Sequence, residues 1–473
     1  MFDKINEECG IFGIYSKDGA DVVEETYLAL YALQHRGQQS CGIAVNDDGV
    51  ITYRKDSGLV PDVFDKNSLK SLGAGKMAIG HVRYATKEDN NAVSAQPLVS
   101  RYVKGNIALS YNGNLLNGYE LREEFMKKGG IFQTSNDSET IMYTIAQERN
   151  KAGSVEEAIN NSMKLLKGAY SFVLMSPKKL IAARDPHGFK PLCMGQLNDS
   201  YIFASESCAL DTIGATLIRE LDPGEIAIVD DKGIRYIRDN CGGKSNMCVF
   251  EHVYFARPDS VIEGNSVHMA RREAGKYLAR EHHVDADLVC GVPDSGLDAA
   301  MGYAAESGIP YGLAFIKNRY IGRTFIQPTQ NARERAVKIK LNSLSSTVKG
   351  KRIVLVDDSI VRGTTVAQII KLLRDAGAKE VHIRISSPPF LYPCYFGTDI
   401  DSRDKLIANN FTKDEICQQI GADSLGYLSI EALSKIAPNA KCDYCIGCFT
   451  GKYPVEVPDE LEKDKFKDKI TKK

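Results

Sequence analysis

The stretch Ile353–Thr365 reads IVLVDDSIVRGTT, and no other part of the sequence narrows the fold as far. Four apolar residues make a buried strand, and Asp357 and Asp358 sit at its carboxyl end. A short Gly/Thr loop, Arg362–Thr365, then opens a helix. That helix start offers unpaired N–H groups to a phosphate. The adjacent acids suit ribose hydroxyls and a hydrated Mg²⁺. Paired acids are more often a solvated strand end, but this loop after them is far more specific. It lacks the Gly-Lys-Ser/Thr ending of a nucleoside triphosphate loop. Ala286–Gly291, Arg352–Val356 and Glu380–Ile385 read as apolar strands near helix-like segments such as Thr365–Ala376. This alternation predicts an α/β domain with a parallel sheet.

The first half has a different grammar. Cys9–Tyr15, Met77–His81, Asn106–Tyr111, Ser171–Met175, Tyr201–Ser205 and Ile226–Val229 read as short strands. Val22–Leu33, Ser138–Glu148 and Ser154–Leu166 read as helices, the last with Ser154 as N-cap. Such alternation suits an α/β sandwich. Between the halves, Arg238–Met247 (RDNCGGKSNM) is polar and Gly-rich, and reads as a linker. The tail after Pro458 is dense in Lys, Asp and Glu and reads as solvated.

At 473 residues the chain has room for two or three domains. A net charge of −1 gives no electrostatic case for nucleic acid or an anionic membrane surface. No apolar run approaches the roughly 20 residues of a transmembrane helix, and Met1–Glu8 is too polar for a secretory signal. The expected location is therefore cytoplasmic. Twelve cysteines are many for that compartment, so metal binding or catalysis must be weighed for some. Cys41, Cys193, Cys208, Cys241, Cys290 and Cys417 read as small buried apolar residues. Cys442, Cys445 and Cys448 form a closely spaced C-terminal set suited to zinc or an iron–sulfur cluster.

The Asp357–Thr365 segment resembles the signature of type I phosphoribosyltransferases. That resemblance implies that Asp357 and Asp358 hold the ribose of phosphoribosyl pyrophosphate, and that Arg362, Gly363, Thr364 and Thr365 hold its 5-phosphate. Val292–Gly296 (VPDSG) resembles the family's pyrophosphate turn, with Ser295 beside the Mg²⁺ that Asp357 and Asp358 also serve. Lys317–Asn342 is cationic and poor in core residues. It reads either as a solvated loop or, more sharply, as a lid over the leaving group. Lys317, Arg335 and Lys338 are its candidate pyrophosphate contacts.

Four segments of the first half, weak singly, fall in a telling order: Cys9-Gly10-Ile11, Gln34–Ser40 (QHRGQQS), Gly80–Thr86 (GHVRYAT) and Tyr111–Leu115 (YNGNL), followed by Asn136-Asp137-Ser138-Glu139. Together they resemble the class II, N-terminal-nucleophile glutamine amidotransferases, which implies an Ntn-hydrolase αββα sandwich. There the cysteine is residue one of the mature chain, and its own α-amine, with a reference pKa of about 7.7–8, is the base. The resemblance assigns the nucleophile to Cys9, the oxyanion hole to Asn112 and Gly113, the substrate α-carboxylate to Arg83 and its α-ammonium to Asp137. An internal Cys9 has no free amine, so residues 1–8 are expected to be a propeptide.

The two halves together resemble the amidophosphoribosyltransferases, the glutamine phosphoribosylpyrophosphate amidotransferases, over nearly the whole chain. Arg184–Gly188 (RDPHG) and Ala204–Ser207 (ASES) join that match, while Gln39, Cys41 and Lys190 depart from its common pattern. The resemblance implies residues 9–240 as the amidotransferase domain and 248–473 as the phosphoribosyltransferase domain with a C-terminal cluster-binding segment. It implies glutamine-dependent amination of 5-phosphoribosyl 1-pyrophosphate to 5-phosphoribosylamine, the first committed step of purine synthesis. It also implies a homotetramer or dimer, purine nucleotide feedback inhibitors, and one Mg²⁺ per subunit. The family's propeptide-bearing branch carries one 4Fe–4S cluster per subunit, whose ligands would here be Cys248, Cys394, Cys445 and Cys448. Cys442 is one cysteine too many and could trade places with Cys445, although Cys445 keeps the two-residue spacing to Cys448. Two alternatives are a non-catalytic ligand-binding regulator on the phosphoribosyl fold and a sugar-phosphate aminating enzyme. The first should show a DNA-binding element, and the second should have sugar isomerase domains in place of the Asp357-Asp358 loop.

Overall fold

The computed structural model describes residues 9–17, 19–84, 92–318, 341–398, 400 and 402–458. The first half stacks two antiparallel sheets. One contains Gly10–Tyr15 (β1), Ser40–Asp47 (β2), Val50–Ser57 (β3), Met77–Arg83 (β4), Cys193–Leu197 (β9), Ser200–Ala204 (β10) and Thr216–Glu220 (β11), in the order β11-β9-β10-β1-β4-β2-β3. The other contains Leu98–Tyr102 (β5), Gly105–Leu115 (β6), Gly168–Met175 (β7), Leu180–Arg184 (β8), Ile226–Asp230 (β12) and Gly233–Ile237 (β13), in the order β13-β12-β8-β7-β6-β5.

Side chains alternate across a strand. In β1, Phe12 and Ile14 pack under the helix Val22–Ala32, whereas Ile11 and Tyr15 enter the core between the sheets. The second sheet packs its outer face, with Tyr111, Phe172 and Leu174, against the helices Asp137–Lys151 and Val155–Met163. Layers of helix, sheet, sheet and helix result, as the αββα expectation requires. Strands β1, β4 and β7 are buried on both faces, so they read as continuous apolar runs. The sheets approach so closely that a Cβ on Gly13 would lie 2.6 Å from Val173 Cγ1.

The second half centres on a four-stranded parallel sheet. Its strands are Leu288–Gly291 (β17), Arg352–Asp357 (β20), Glu380–Ile385 (β21) and Ser424–Tyr427 (β22), in that order. Val354 and Val356 face the helices Val267–Glu281 and Leu297–Ser307. Ile353 and Leu355 face the helices Thr364–Asp375 and Lys413–Ile420. Among the described residues, no helix is long and apolar enough to cross a membrane.

Two expectations need correction. The linker reading overruns its end, because Asn246–Cys248 (β14) pairs in parallel with Asp443–Cys445 (β23), and Met247 is wholly buried. The returning C-terminal segment supplies the partner that local polarity could not reveal. Cys41, Cys193, Cys208 and Cys290 are buried, but Cys241 and Cys417 are only half-buried. Cys241 lies in the polar turn after β13, and Cys417 points its thiol at the Ala422 carbonyl near a helix end.

Candidate functional site

Cys9 directly precedes β1 and is half-buried. Its thiol points at the Tyr84 carbonyl, 3.8 Å away, and its own carbonyl accepts from Arg36 Nε at 3.0 Å. Gly10 pairs with Val82 in β4, so Cys9 lies beside the end of the strand that carries Arg83. Strand alternation puts Cys9, Arg83 and Asn112 on the faces that look between the sheets, at one end of the sandwich. The sheets are tied there by His81 and Tyr111. Burial pushes the His81 imidazole down to about 3, so the ring is neutral and its Nε2–H donates to the Tyr111 carbonyl at 2.9 Å. The Gln96 side chain accepts from the Tyr111 N–H at 2.8 Å.

Ser40 Oγ, His81 Nδ1, Ser110 Oγ, Asn112 Nδ2 and Ser171 Oγ are buried at this end without a hydrogen-bond partner among the described residues. Unpaired buried polar atoms are costly and rare. Such a group beside a half-buried thiol fits a place where substrate or water supplies the missing bonds. Gly113 has a φ of 146°, and a Cβ there would lie 2.1 Å from the Ala169 carbonyl oxygen, so only glycine fits. Asp137 opens its helix, where the amide dipoles favour an anion. It accepts from the Leu115 N–H at 2.8 Å and the Tyr111 hydroxyl at 3.4 Å. Burial nonetheless raises its pKa to about 6. Ala85 and Thr86 of the GHVRYAT motif lie outside the described residues.

At the other site, Asp357 ends β20 and Gly363, with a φ of 82°, starts the helix Thr364–Asp375. Asp357 and Asp358 are buried. Asp357 accepts from the Ser295 hydroxyl at 3.2 Å and the Asp358 N–H at 2.9 Å, and the Ser359 hydroxyl donates to Asp358. The turn Val292–Gly296 sits against the end of β20, because the Val292 N–H donates to the Val356 carbonyl at 2.9 Å. Lys317, at the end of Phe315–Lys317 (β18), ion-pairs with Asp294 in that turn. Arg362 and Thr364 are exposed at the loop, Gly363 and Thr365 buried. Thus Ser295, Lys317, Asp357 and Asp358, separated in sequence, converge. Arg335 and Lys338 lie outside the described residues.

A third assembly lies where the halves meet. Cys248 of β14, Cys394, Cys445 of β23 and Cys448 line one largely enclosed cavity with Phe189, Lys190, Phe250, Phe396 and Tyr453. Cys248 and Cys445 are direct neighbours in the parallel pair. Burial pushes the Cys445 thiol up to about 12 and that of Cys448 well above its usual value. A buried thiol of that kind ionises readily only when a metal supplies the charge. Among the described residues, no group of three or more His, Cys, Asp or Glu side chains converges as around a single ion. Four thiols lining one mostly apolar cavity are donors of the type that a zinc ion or an iron–sulfur cluster takes. Cys442 does not line the cavity; it packs against a different cluster containing Met247 and Ile262.

A buried charge network between the halves was not foreseen. Arg36 pairs with Glu206 at 2.6 Å and with Glu251, 215 residues away, at 2.8 Å. Burial opposes ionisation of Glu206, but His35 and Arg36 outweigh it and hold its carboxyl well below the usual range. Ser260 and the Arg257 N–H also donate to Glu206. Its clue was the pair of polar motifs, QHRGQQS and ASES, that no surface role explained. RDPHG likewise has a structural task. Buried Arg184 donates to the Gly188, Lys190 and Leu221 carbonyls, and Asp185 caps the His187 and Phe189 N–H groups. This fixes the turn that carries Phe189 and Lys190 to the cysteine cavity.

Comparisons with known proteins agree with this arrangement. The glutamine amidotransferase domain family matches residues 81–212, and the phosphoribosyl transferase domain family matches residues 268–386. Amidophosphoribosyltransferase from Bacillus subtilis is 47% identical over 458 residues, covering 96% of this chain and 95% of that protein. The protein of that name from Methanocaldococcus jannaschii is 49% identical, covering 95% of this chain and 98% of its own length. A solved structure of "the allosteric regulatory enzyme of purine biosynthesis" superposes with a TM-score of 0.91 at 46% identity, covering 98% of this chain and 100% of that one. The B. subtilis glutamine phosphoribosylpyrophosphate amidotransferase complexed with ADP and GMP gives 0.89 at 46% identity, covering 96% and 99%. On this similarity in sequence, length and fold, the chain belongs to the amidophosphoribosyltransferase family.

Proposed function

We propose that this chain makes 5-phosphoribosylamine from glutamine and 5-phosphoribosyl 1-pyrophosphate, releasing glutamate and pyrophosphate, as the entry step of purine synthesis. The observation that carries the reading is the pairing, in one chain, of the Cys9 end of the sandwich with the Ser295–Asp357–Asp358 site of the parallel sheet. In this reading residues 1–8 are a propeptide, 9–240 the amidotransferase domain and 248–473 the phosphoribosyltransferase domain. Once the Glu8–Cys9 bond is cut, the Cys9 α-amine takes the thiol proton and the sulfur attacks the glutamine amide carbon. The amide C–N bond then breaks as the α-ammonium returns its proton to the leaving ammonia, and water hydrolyses the thioester to glutamate and free Cys9. Asn112 Nδ2, buried without a partner among the described residues, and the Gly113 N–H receive the developing oxyanion. Arg83 holds the substrate carboxylate and Asp137 its ammonium group.

The released ammonia attacks C1 of phosphoribosyl pyrophosphate. Asp357 and Asp358 orient the ribose, while Arg362, Gly363, Thr364 and Thr365 hold the 5-phosphate at the helix start. Lys317, with Arg335 and Lys338, balances the leaving pyrophosphate. Ser295, Asp357 and Asp358 would hold a Mg²⁺, whose charge favours departure of pyrophosphate. Cys248, Cys394, Cys445 and Cys448 would hold a 4Fe–4S cluster, tying the C-terminal segment to the junction of the halves. The B. subtilis relative was solved with ADP and GMP, which supports purine nucleotides as feedback ligands here. Of the homotetramer and dimer that the resemblance implies, we propose the homotetramer.

The test is an assay of anaerobically purified protein with glutamine, phosphoribosyl pyrophosphate and Mg²⁺. Glutamate and pyrophosphate should appear in equal amounts, and the mature N terminus should be Cys9. Active protein still beginning at Met1 would refute the nucleophile assignment. Iron and sulfide analysis of the same sample tests the cage, and a colourless, zinc-loaded, fully active protein would refute it.

A further inference from the structure

The loop after Cys394 belongs to the second half but touches the first at its most sensitive backbone. Asn114 Nδ2 donates to the Tyr395 carbonyl at 3.0 Å, across 281 residues of sequence. Gly397 has a φ of 109°, and a Cβ on it would lie 3.3 Å from the Gly113 carbonyl carbon, 3.4 Å from its oxygen and 3.3 Å from Lys190 Nζ. The loop therefore rests on the strand segment Gly113-Asn114, beside the unpartnered Asn112 amide. A side chain there would strain the backbone at that φ and would need Gly113 to give by a few tenths of an ångström.

The loop itself is firmly held. The Phe396 N–H donates to Cys394 Sγ at 3.4 Å. The Phe396 ring stacks on Phe189 with centroids 4.2 Å apart, and Tyr395 meets Tyr453 edge-on at 5.1 Å. Tyr453 also donates its hydroxyl to the Pro393 carbonyl at 2.7 Å. Every one of these anchors is at or beside the cysteine cavity. The cavity wall and the Gly113-Asn114 backbone are thus joined by one short, rigid piece of chain.

We infer that Asn114 and Gly397 are positioning residues for glutamine hydrolysis: the Cys394–Gly397 loop, braced by the cysteine cage, is a buttress that fixes the oxyanion-hole backbone. This rests on the reading of Asn112 and Gly113 as that hole. An oxyanion donor works only when held in place, and loss of one costs about 10²–10³ in kcat. The buttress should therefore act on glutamine chemistry and leave the amination step alone.

The experiment compares Asn114→Asp, which keeps the shape but removes the N–H donor, with Asn114→Ser, which keeps a donor, and with Gly397→Ala. Each is assayed with glutamine and with ammonia, and amide exchange is followed in peptides spanning residues 108–117 and 443–450. For Asn114→Asp and Gly397→Ala we expect glutamine-dependent kcat to fall at least about tenfold. Ammonia-dependent rate, iron content and exchange at 443–450 should hold, while exchange at 108–117 quickens. Asn114→Ser should recover part of the loss. Equal losses with both nitrogen sources, or unaltered glutamine kcat in both Asn114→Asp and Gly397→Ala, would overturn the buttress. A Cys9→Ala control that still uses glutamine would overturn the underlying site reading instead, so the two failures are separable.

Discussion

Asp137 carries the clearest pH dependence. Burial holds its pKa at about 6, above the ordinary carboxylate value. In its proposed role at the substrate ammonium Asp137 must be ionised, and that form is lost as pH falls through about 6. Glutamine-dependent kcat/KM should drop about tenfold per pH unit below that point, while the ammonia-dependent rate keeps its own profile. A pH profile of both reactions checks this, and Asp137→Asn should flatten the glutamine limb at a low level. Gly113 supplies a steric counterpart. Gly113→Ala would drive a methyl into the Ala169 carbonyl. Glutaminase should fall by at least about 10²-fold, with folding tracked by thermal melting. These assignments came from the resemblance, through the order of motifs that are weak singly; as a local signal Asn112-Gly113 suggests a turn, whereas it lies within β6. The orphaned state of Asn112, by contrast, arises from packing between two sheets and has no local signature.

At the scale of elements, legibility followed locality. Glu380–Ile385 was read to the residue, and Thr365–Ala376 to within one residue at each end. The β2–β3 hairpin was overlooked, although Asp48-Gly49 at its tip, with φ values of 46° and 93°, is a strong turn signal. Its second strand is largely exposed and polar, so no hydrophobic pattern marked it. The β14–β23 pair joins segments nearly two hundred residues apart in the chain, and no window of sequence contains it. That pair separates Cys445, on the cavity, from Cys442, off it. Cys442→Ala should keep full iron and sulfide, whereas Cys445→Ala should lose both, as elemental analysis of anaerobic preparations would show.

At the scale of the whole molecule, the two halves meet through charge as well as through the cavity that Phe189 and Lys190 share with four cysteines. Arg36 lies under Cys9, and Glu251 belongs to the second half; both are buried. Removing the Glu251 charge leaves buried Arg36 with Glu206 as its remaining ion-pair partner, so the cost falls below the about 3–5 kcal/mol of a fully unpaired buried charge. Glu251→Gln should therefore lower the unfolding midpoint measurably in denaturant titration, and loosen the backbone that presents Cys9. Sequence could place each half but not this contact, because its members are ordinary polar residues until the fold brings them together.

In the proposed reaction one chain makes ammonia at Cys9 and uses it at Asp357 and Asp358. The direct measurement is phosphoribosylamine formation by Cys9→Ala with each nitrogen source. Glutamine-dependent activity should fall by at least about 10³-fold, and ammonia-dependent activity should stay within about twofold of wild type. A folded Cys9→Ala protein that still uses glutamine, or loses both activities equally, would rule out this two-site reaction.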